Sequence, residues 1–123
     1  DEKYYKYLFL CHPYRLMTEI KTIINLKKKI VIPNFKILKI LSKKYNEVIN
    51  YNFVHNKNFL IKNKYCASDK NLVLVYALSF CIKEKIKKIK IIGLSKNSEN
   101  SNIIKSFRRY IRKNKTNTSI ISN

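Results

Sequence analysis

The most chemically suggestive residues of this sequence are the neighbouring Cys11 and His12, which follow a short apolar run. A thiolate is a strong nucleophile and an imidazole can accept its proton, so the pair has the composition of a nucleophilic dyad. Successive residues of a strand point to opposite faces, however. A buried Cys beside a His in a turn is therefore the simpler interpretation, and His12 remains a candidate ligand contact.

A second group of residues could hold an anion at the start of a helix. Arg15 falls in the first turn of a predicted helix, where it could bind a phosphate or carboxylate together with nearby N–H groups. Ser68, Asp69 and Asn71 precede a long apolar helix. Asp69 would repel an anion there, and capping of the helix by Ser68 or Asp69 explains these residues without a ligand.

The chain contains a single glycine, Gly93, directly after a predicted apolar strand at 89–92. Backbone geometry, close approach of another group, or contact with a ligand could each require it. Ligands of open α/β sheets lie just past the carboxyl ends of the strands. On this basis, the predicted ligand-binding rim consists of His12, Arg15, Asn34, Ser68, Asp69, Gly93 and Ser95.

The formal net charge of +20 suggests a polyanionic partner, but composition offers another explanation. Lys, Ile and Asn, which have AT-rich codons, fill 57 of 123 positions. The lysines are spread over every segment, and a dense run of them at 83–90 is most simply a solvated turn. Three of the four arginines, Arg108, Arg109 and Arg112, surround Tyr110 and form the candidate nucleic-acid surface.

Several kinds of chemistry are disfavoured by what the sequence lacks. With one glycine it has neither a G-x-G-x-x-G motif nor a Walker loop, and no G-x-S-x-G elbow occurs. Two histidines and sparse carboxylates make a metal site improbable, and no cofactor is expected. Three cysteines without a CxxC pair predict no disulfide framework and a reducing, cytoplasmic location.

The length and hydropathy of the chain predict one globular domain over residues 1–123 without a membrane span or signal peptide. The sequence does not begin with Met, which is compatible with a piece of a longer protein. Helical and strand-like spacings predict the order β-α-β-α-β-β-α-β-α-β. Its strands are predicted at 7–11, 29–33, 48–53, 59–61, 89–92 and 119–121, and its helices at 13–27, 35–44, 72–82 and 103–113.

This alternation predicts an α/β fold with a Rossmann-like, mostly parallel sheet flanked by helices. The alternating segment at 48–53 and the run at 59–61, separated by turn residues, predict an inserted β-hairpin. Polar residues at 95–102 predict a loop before the last helix.

Several short motifs of the chain occur in the order of a known family. The motifs are Leu10-Cys11-His12-Pro13-Tyr14-Arg15, Tyr65-Cys66, Tyr76-Ala77-Leu78, Gly93-Leu94-Ser95 and Thr118-Ser119-Ile120-Ile121. They resemble the C-terminal region of aldolase-like proteins of bacterial surface-polysaccharide gene clusters, of the pyruvate-aldolase and hydroxymethylglutaryl-lyase superfamily. The helix, strand and glycine step is also similar to that of bacterial sialyltransferases and pterin-pyrophosphokinase-like proteins.

The resemblance implies a small Rossmann-like domain that follows a metal-dependent catalytic barrel. No barrel is present in these 123 residues, and Ser95 replaces the acidic residue of the family's G-x-D step, so no complete catalytic constellation is implied. The leading hypothesis is an accessory domain that binds a nucleotide or sugar nucleotide, or docks against an upstream barrel. The alternatives are a sialyltransferase-like glycosyltransferase, a basic nucleic-acid-binding module, and a degenerate remnant.

Overall fold

The computed structural model describes residues 7–12, 18–26, 28–33 and 47–122 of the chain. The helix predicted at 35–44 lies outside these residues, as do the rim residues Arg15 and Asn34. The described residues form a mixed α/β structure with three small, mostly parallel sheets. The elements are β1 (Tyr7–Phe9), α1 (Ile20–Leu26), β2 (Lys29–Ile32), β3 (Val48–Asn50), β4 (Asn52–His55), β5 (Leu60–Ile61), β6 (Tyr65–Ser68), α2 (Val73–Lys83), β7 (Lys88–Ile91), α3 (Ser98–Lys113) and β8 (Ser119–Ser122).

The chain divides into two compact units, Asp1–Ala77 and Leu78–Asn123, with the boundary inside α2. The prediction of a single domain therefore stays a prediction, and each unit is described by itself. None of the helices in the described residues is long and apolar enough to cross a membrane.

The first sheet places three strands in the order in which they occur along the chain. β1, β2 and β3 are all parallel, with Leu8 opposite Ile30 and Ile30 opposite Val48. Ile30 and Val31 of the central strand β2 have no exposed surface. An uninterrupted apolar run is typical of a parallel strand that is covered on both faces, which is why the sequence predicted this strand correctly.

The predicted hairpin between 48–53 and 59–61 is wrong. Tyr51 divides its first strand: the Tyr51 N–H donates to Ile32 O (3.0 Å) and the Asn52 N–H to Lys64 O (3.0 Å). β3 therefore joins the first sheet, whereas β4 joins a second sheet of order β4-β6-β5. The unpredicted strand β6 lies between the intended partners, parallel to β4 and antiparallel to β5.

The position of β6 has a local and a tertiary cause. The short connection from β5 closes when the Lys62 N–H donates to Tyr65 O (2.8 Å), so β5 and β6 form the hairpin instead. Cys66 and Ala67 are completely or almost completely buried in the middle of the sheet. Small residues have weak strand propensity, so the local sequence contained little signal for this strand.

Tyr76 anchors the first half of α2 on the sheets of the first unit. Its ring is edge-on to Phe9 (6.1 Å between centroids) and lies 5.9 Å from Tyr51 and 6.0 Å from Phe53. Its hydroxyl donates a hydrogen bond to Tyr51 O. The aromatic residues thus connect β1, β4 and α2 around one buried phenol.

The predicted N-cap of this helix at Ser68 or Asp69 is wrong. The first helical hydrogen bond runs from the Tyr76 N–H to Leu72 O (3.2 Å), so α2 begins at Val73. Ser68 instead ends β6, and its hydroxyl accepts from the Lys70 N–H (3.0 Å). Ser and Asp side chains stabilise such local turns as readily as helix caps. Here β6 remains paired with β4 up to Ser68, and this favours the local turn over the helix cap.

The second unit is built around a β-α-β unit formed by β7, α3 and β8. β7 and β8 are parallel, with Ile89 opposite Ile120. α3, which connects them, buries Ile103, Ile104, Phe107 and Ile111. The Thr118 hydroxyl donates to Ile86 O (2.9 Å). This hydrogen bond connects the segments that precede β8 and β7.

Two predictions for this unit require correction. The apolar strand predicted at 89–92 is observed at Lys88–Ile91 and is half exposed: Lys88 and Lys90 are exposed, and Ile92, directly after it, is 73% exposed. A two-stranded sheet that is covered on one face leaves alternate residues in solvent. The loop predicted at 95–102 is helical from Ser98, because the Asn97 side chain caps α3 by accepting from the Asn100 N–H (2.8 Å).

Both α2 and α3 end in a Schellman motif with lysine at the left-handed position. Lys85 has φ +59° and Lys115 has φ +50°. The Ile86 N–H donates to Cys81 O (3.1 Å), and the Thr116 N–H donates to Ile111 O (3.0 Å). These positions normally favour glycine, so both helix ends carry backbone strain.

Candidate functional site

A cavity of about 430 Å³ lies at the carboxyl end of β1, within the first unit. Its walls come from the end of β1, from α1 and from the start of α2. They are formed by Leu8, Phe9, Leu10, Cys11, His12, Glu19, Thr22, Ile23, Leu72 and Val73. A volume of this size suits a small-molecule ligand, and the edge of a parallel sheet is where such ligands bind in α/β proteins.

The polar groups of the cavity come from two elements. His12 follows β1 and is exposed, while Glu19 directly precedes α1 and Thr22 lies in its first turn. The Ile23 N–H donates to Glu19 O (3.0 Å), so Glu19 already belongs to the helical turn that positions Thr22. A carboxylate, a hydroxyl and an imidazole together offer acceptors and donors for a hydroxylated ligand.

The apolar walls lie beside these polar groups. Ile23 is buried, whereas Val73, which also lines the cavity, is 48% exposed. Since Leu72 and Val73 mark the beginning of α2, the positive end of its helix dipole is on this side. The first turn of α2 contains no acidic residue that would offset that dipole.

The predicted pair Cys11 and His12 divides into a buried and an exposed residue. Cys11 is 7% exposed, and burial raises the pKa of its thiol, although a backbone hydrogen bond acts in the opposite direction. A raised pKa keeps the thiol protonated at neutral pH, which disfavours the nucleophilic dyad. Cys11 is thus buried, as the simpler interpretation expects, and His12 directly after it is exposed.

The structure describes five of the seven predicted rim residues, and these five belong to two different units of the chain. His12 lines the cavity, whereas Ser68 is buried and Asp69 exposed after β6. Gly93 and Ser95 belong to the second unit. The Ser95 carbonyl accepts from the Asn100 side chain (2.8 Å). The prediction that these residues form one rim stays a prediction.

Gly93 itself has a clear structural requirement. Its φ is +77°, and a Cβ added to it would meet no atom within 4 Å. The left-handed backbone therefore explains the glycine without a close neighbour.

Sequence reasoning did not identify Glu19, Thr22, Leu72 or Val73 as site residues. The spacing of Glu19, Thr22 and Ile23 places them on one side of α1, which was the available signal for the first two. Leu72 and Val73 were assigned only to an apolar helix. Their place in the cavity depends on the packing of α2, which local periodicity does not report.

Four exposed cations of the second unit lie on α3. Lys105, Arg109, Arg112 and Lys113 are exposed on this helix. Arg108 is half-buried, and its guanidinium donates to Ile120 O (3.0 Å). Arg108 therefore has a structural role, which separates it from the other two predicted nucleic-acid contacts.

No protein-family model, curated protein or solved structure matches this chain. Among the described residues, no group of three His, Cys, Asp or Glu side chains could hold a metal ion.

Proposed function

We propose that the first unit binds a nucleotide or sugar nucleotide in the cavity at the carboxyl end of β1. The observation that carries this proposal is the cavity of about 430 Å³, whose lining combines apolar side chains with those of Glu19, Thr22 and His12. A base is a flat apolar ring with polar edges, and a ribose or hexose presents several hydroxyls. The two halves of such a ligand match the two kinds of wall.

The strand order supports a Rossmann-like interpretation of this unit. Three consecutive parallel strands in the order β1-β2-β3 correspond to one half of a dinucleotide-binding sheet. In that arrangement the ligand lies beyond the carboxyl ends of the strands, which is the location of the cavity.

Electrostatics orients the proposed ligand. The Glu19 carboxylate repels a phosphate but accepts hydrogen bonds from sugar hydroxyls. The positive end of the α2 dipole, at Leu72 and Val73, instead favours negative charge, whereas the exposed Asp69, four residues before the helix, opposes it. We therefore place the sugar near Glu19 and Thr22, and the phosphate towards the start of α2.

The biological context of the proposal comes from the family resemblance of the sequence. A sugar-nucleotide ligand would suit an accessory domain of an aldolase-like protein in surface-sugar biosynthesis. If the domain binds no ligand, we propose instead that it docks against an upstream barrel.

Calorimetric titration with uridine, UMP, a UDP-hexose and inorganic phosphate tests the proposal. Val73→Trp should weaken binding of the favoured nucleotide at least tenfold, because a large ring at this lining position occupies space that the ligand needs. Val54→Trp is the matched control, since Val54 is 37% exposed on β4 and does not line the cavity. Sugar release, measured in the same samples, distinguishes binding from glycosyltransferase activity.

The absence of binding at millimolar concentrations of all four compounds would exclude the ligand-binding role and leave only docking. Equal weakening by both tryptophan variants would show that the ligand binds outside the cavity.

A further inference from the structure

We propose that the exposed side of α3 binds the phosphate backbone of a nucleic acid, independently of the cavity in the first unit. The contacts come from Lys105, Arg109, Arg112 and Lys113, which we call the α3 basic cluster. All four residues are exposed and belong to one helix of 16 residues.

Helical geometry gathers these four cations on one side. Arg109 is four residues from both Lys105 and Lys113 and three from Arg112, which are the spacings of neighbours on a helix surface. At about 100° per residue, the centre of the cluster is opposite the centre of the buried face formed by Ile103, Ile104, Phe107 and Ile111. Packing of α3 therefore fixes the direction in which the cluster faces.

The cluster has no internal compensation for its charge. α3 contains one acidic residue, Glu99, and it lies in the first turn, away from the cluster. Among residues 7–12, 18–26, 28–33 and 47–122, no carboxylate forms a salt bridge with any of its four side chains. Like charges at these spacings destabilise a helix. The negative end of the helix dipole offsets this repulsion only for Arg112 and Lys113 in the last turn. A bound polyanion would reduce the repulsion that remains.

The arginines are the part of the charge that composition does not explain. The chain contains 23 lysines but four arginines, and three of those four lie in α3. Arg108 uses its guanidinium to hold Ile120 O at 3.0 Å. Arg109 and Arg112 remain exposed and present the planar fork that binds phosphate through two parallel hydrogen bonds.

The neighbouring residues favour a nucleic acid over a membrane surface. A membrane-binding helix exposes apolar residues beside its cations, whereas the large aliphatic and phenylalanine side chains of α3 are buried. The exposed residues that continue the same side towards the N-terminus are Ser98, Ser101 and Asn102, whose side chains can donate to phosphate oxygens. No aromatic residue is exposed on this side, so we expect backbone contacts without sequence preference.

Fluorescence anisotropy of the full chain with a labelled 20-nucleotide RNA and DNA, at 50 and 200 mM NaCl, tests the proposal. If the cluster neutralises about four phosphates of a single strand, affinity should fall about 50-fold between the two salt concentrations. The triple variant Lys105→Gln, Arg109→Gln, Arg112→Gln should reduce this to about threefold, because about one contact remains.

The matched control is Lys57→Gln, Lys62→Gln, Lys64→Gln. It removes the same charge from exposed loop positions of the first unit and should keep the wild-type salt dependence. Arg109→Lys with Arg112→Lys keeps the charge and should weaken binding several-fold through loss of the fork. Circular dichroism of each variant confirms that the helix persists.

Equal losses in the two Gln triple variants would overturn the proposal in favour of unspecific attraction by total charge. Absence of binding at 50 mM NaCl would overturn it as well. Vesicles containing phosphatidylserine form a competing arm: displacement of the RNA by vesicles at lower phosphate concentration would identify lipid as the ligand instead. Val73→Trp should not change any of these measurements, so this proposal and the cavity proposal fail separately.

Discussion

At the scale of single residues, Tyr76 shows how a polar group is accommodated in the core of the first unit. The side chain has no exposed surface, and its hydroxyl donates to Tyr51 O. Desolvation by burial is the main reason that the pKa of this phenol is raised far above its usual value. The folded state therefore favours the neutral form of this residue.

Tyr76→Phe should lower the free energy of unfolding by about 1–2 kcal/mol, because the Tyr51 carbonyl loses a buried donor. The raised pKa also predicts a pH effect. Above pH 10 the unfolded chain releases the phenolic proton while the folded chain retains it, so stability contributed by Tyr76 declines as pH rises. Urea unfolding at pH 7 and pH 10.5 measures both effects.

Tyr65→Phe is the control for this prediction, since Tyr65 is only half-buried. It should leave the free energy of unfolding at pH 7 nearly unchanged. Equal destabilisation by both variants would show that the hydroxyl of Tyr76 makes no special contribution.

At the scale of elements, the ends of α2 and α3 show where the sequence and the backbone conflict. Schellman motifs place one residue in the left-handed region, and here lysine occupies it at Lys85 and Lys115. A non-glycine residue in that region carries a penalty of roughly 1–2 kcal/mol. A chain with one glycine evidently tolerates this strain at two helix ends.

Lys115→Gly should raise the free energy of unfolding by about 1 kcal/mol, because glycine removes the penalty at φ +50°. Thermal unfolding should show an increase of roughly 3–5 °C. Lys113→Gly is the control: it removes the same charge from a helical position in α3 and should destabilise by about 0.5–1 kcal/mol. A lower melting temperature for both variants would contradict this account.

The elements also show what local sequence could predict. The apolar run of β2 and the amphipathic spacing of α3 predicted their structure correctly, because each pattern directly records which side is buried. The start of α3 was predicted too late, although Asn97 is a favourable capping residue. The hairpin was wrong because its strands were paired by proximity in the sequence, whereas β6 lies between them.

At the scale of the whole molecule, the charge is extreme for a chain of this size. The sequence has 27 basic and seven acidic residues. The second unit alone contains 12 Lys or Arg and two Glu. Repulsion among unbalanced charges destabilises a compact state, and salt screens it.

Raising NaCl from 20 to 300 mM should therefore increase the melting temperature by roughly 3–5 °C, which corresponds to about 1 kcal/mol. The melting temperatures of the α3-cluster triple Gln variant and of its first-unit triple Gln control should rise less with salt. Each variant lowers the formal charge to +17 from the wild-type +20. Differential scanning fluorimetry over a salt series measures the response. A melting temperature that is constant or falls with salt would show that charge repulsion is not significant.

Sequence reasoning identified only part of the candidate site. As with the sheets, the rest depends on contacts between segments that are distant in the chain. His12 was predicted because it follows an apolar strand, and strand ends are identifiable locally. Glu19, Thr22 and Val73 were not, because the cavity exists only where β1, α1 and α2 meet.

The sequence by itself determined the identity and period of the main elements, since alternation and helical spacing depend on burial of one side of a local segment. It also determined the high charge and the concentration of arginine in α3. The tertiary structure alone decided that Tyr51 divides a strand, that β6 is central in its sheet, and that a cavity forms beside β1. These features depend on contacts between segments distant in the chain, whose free energies no local pattern records.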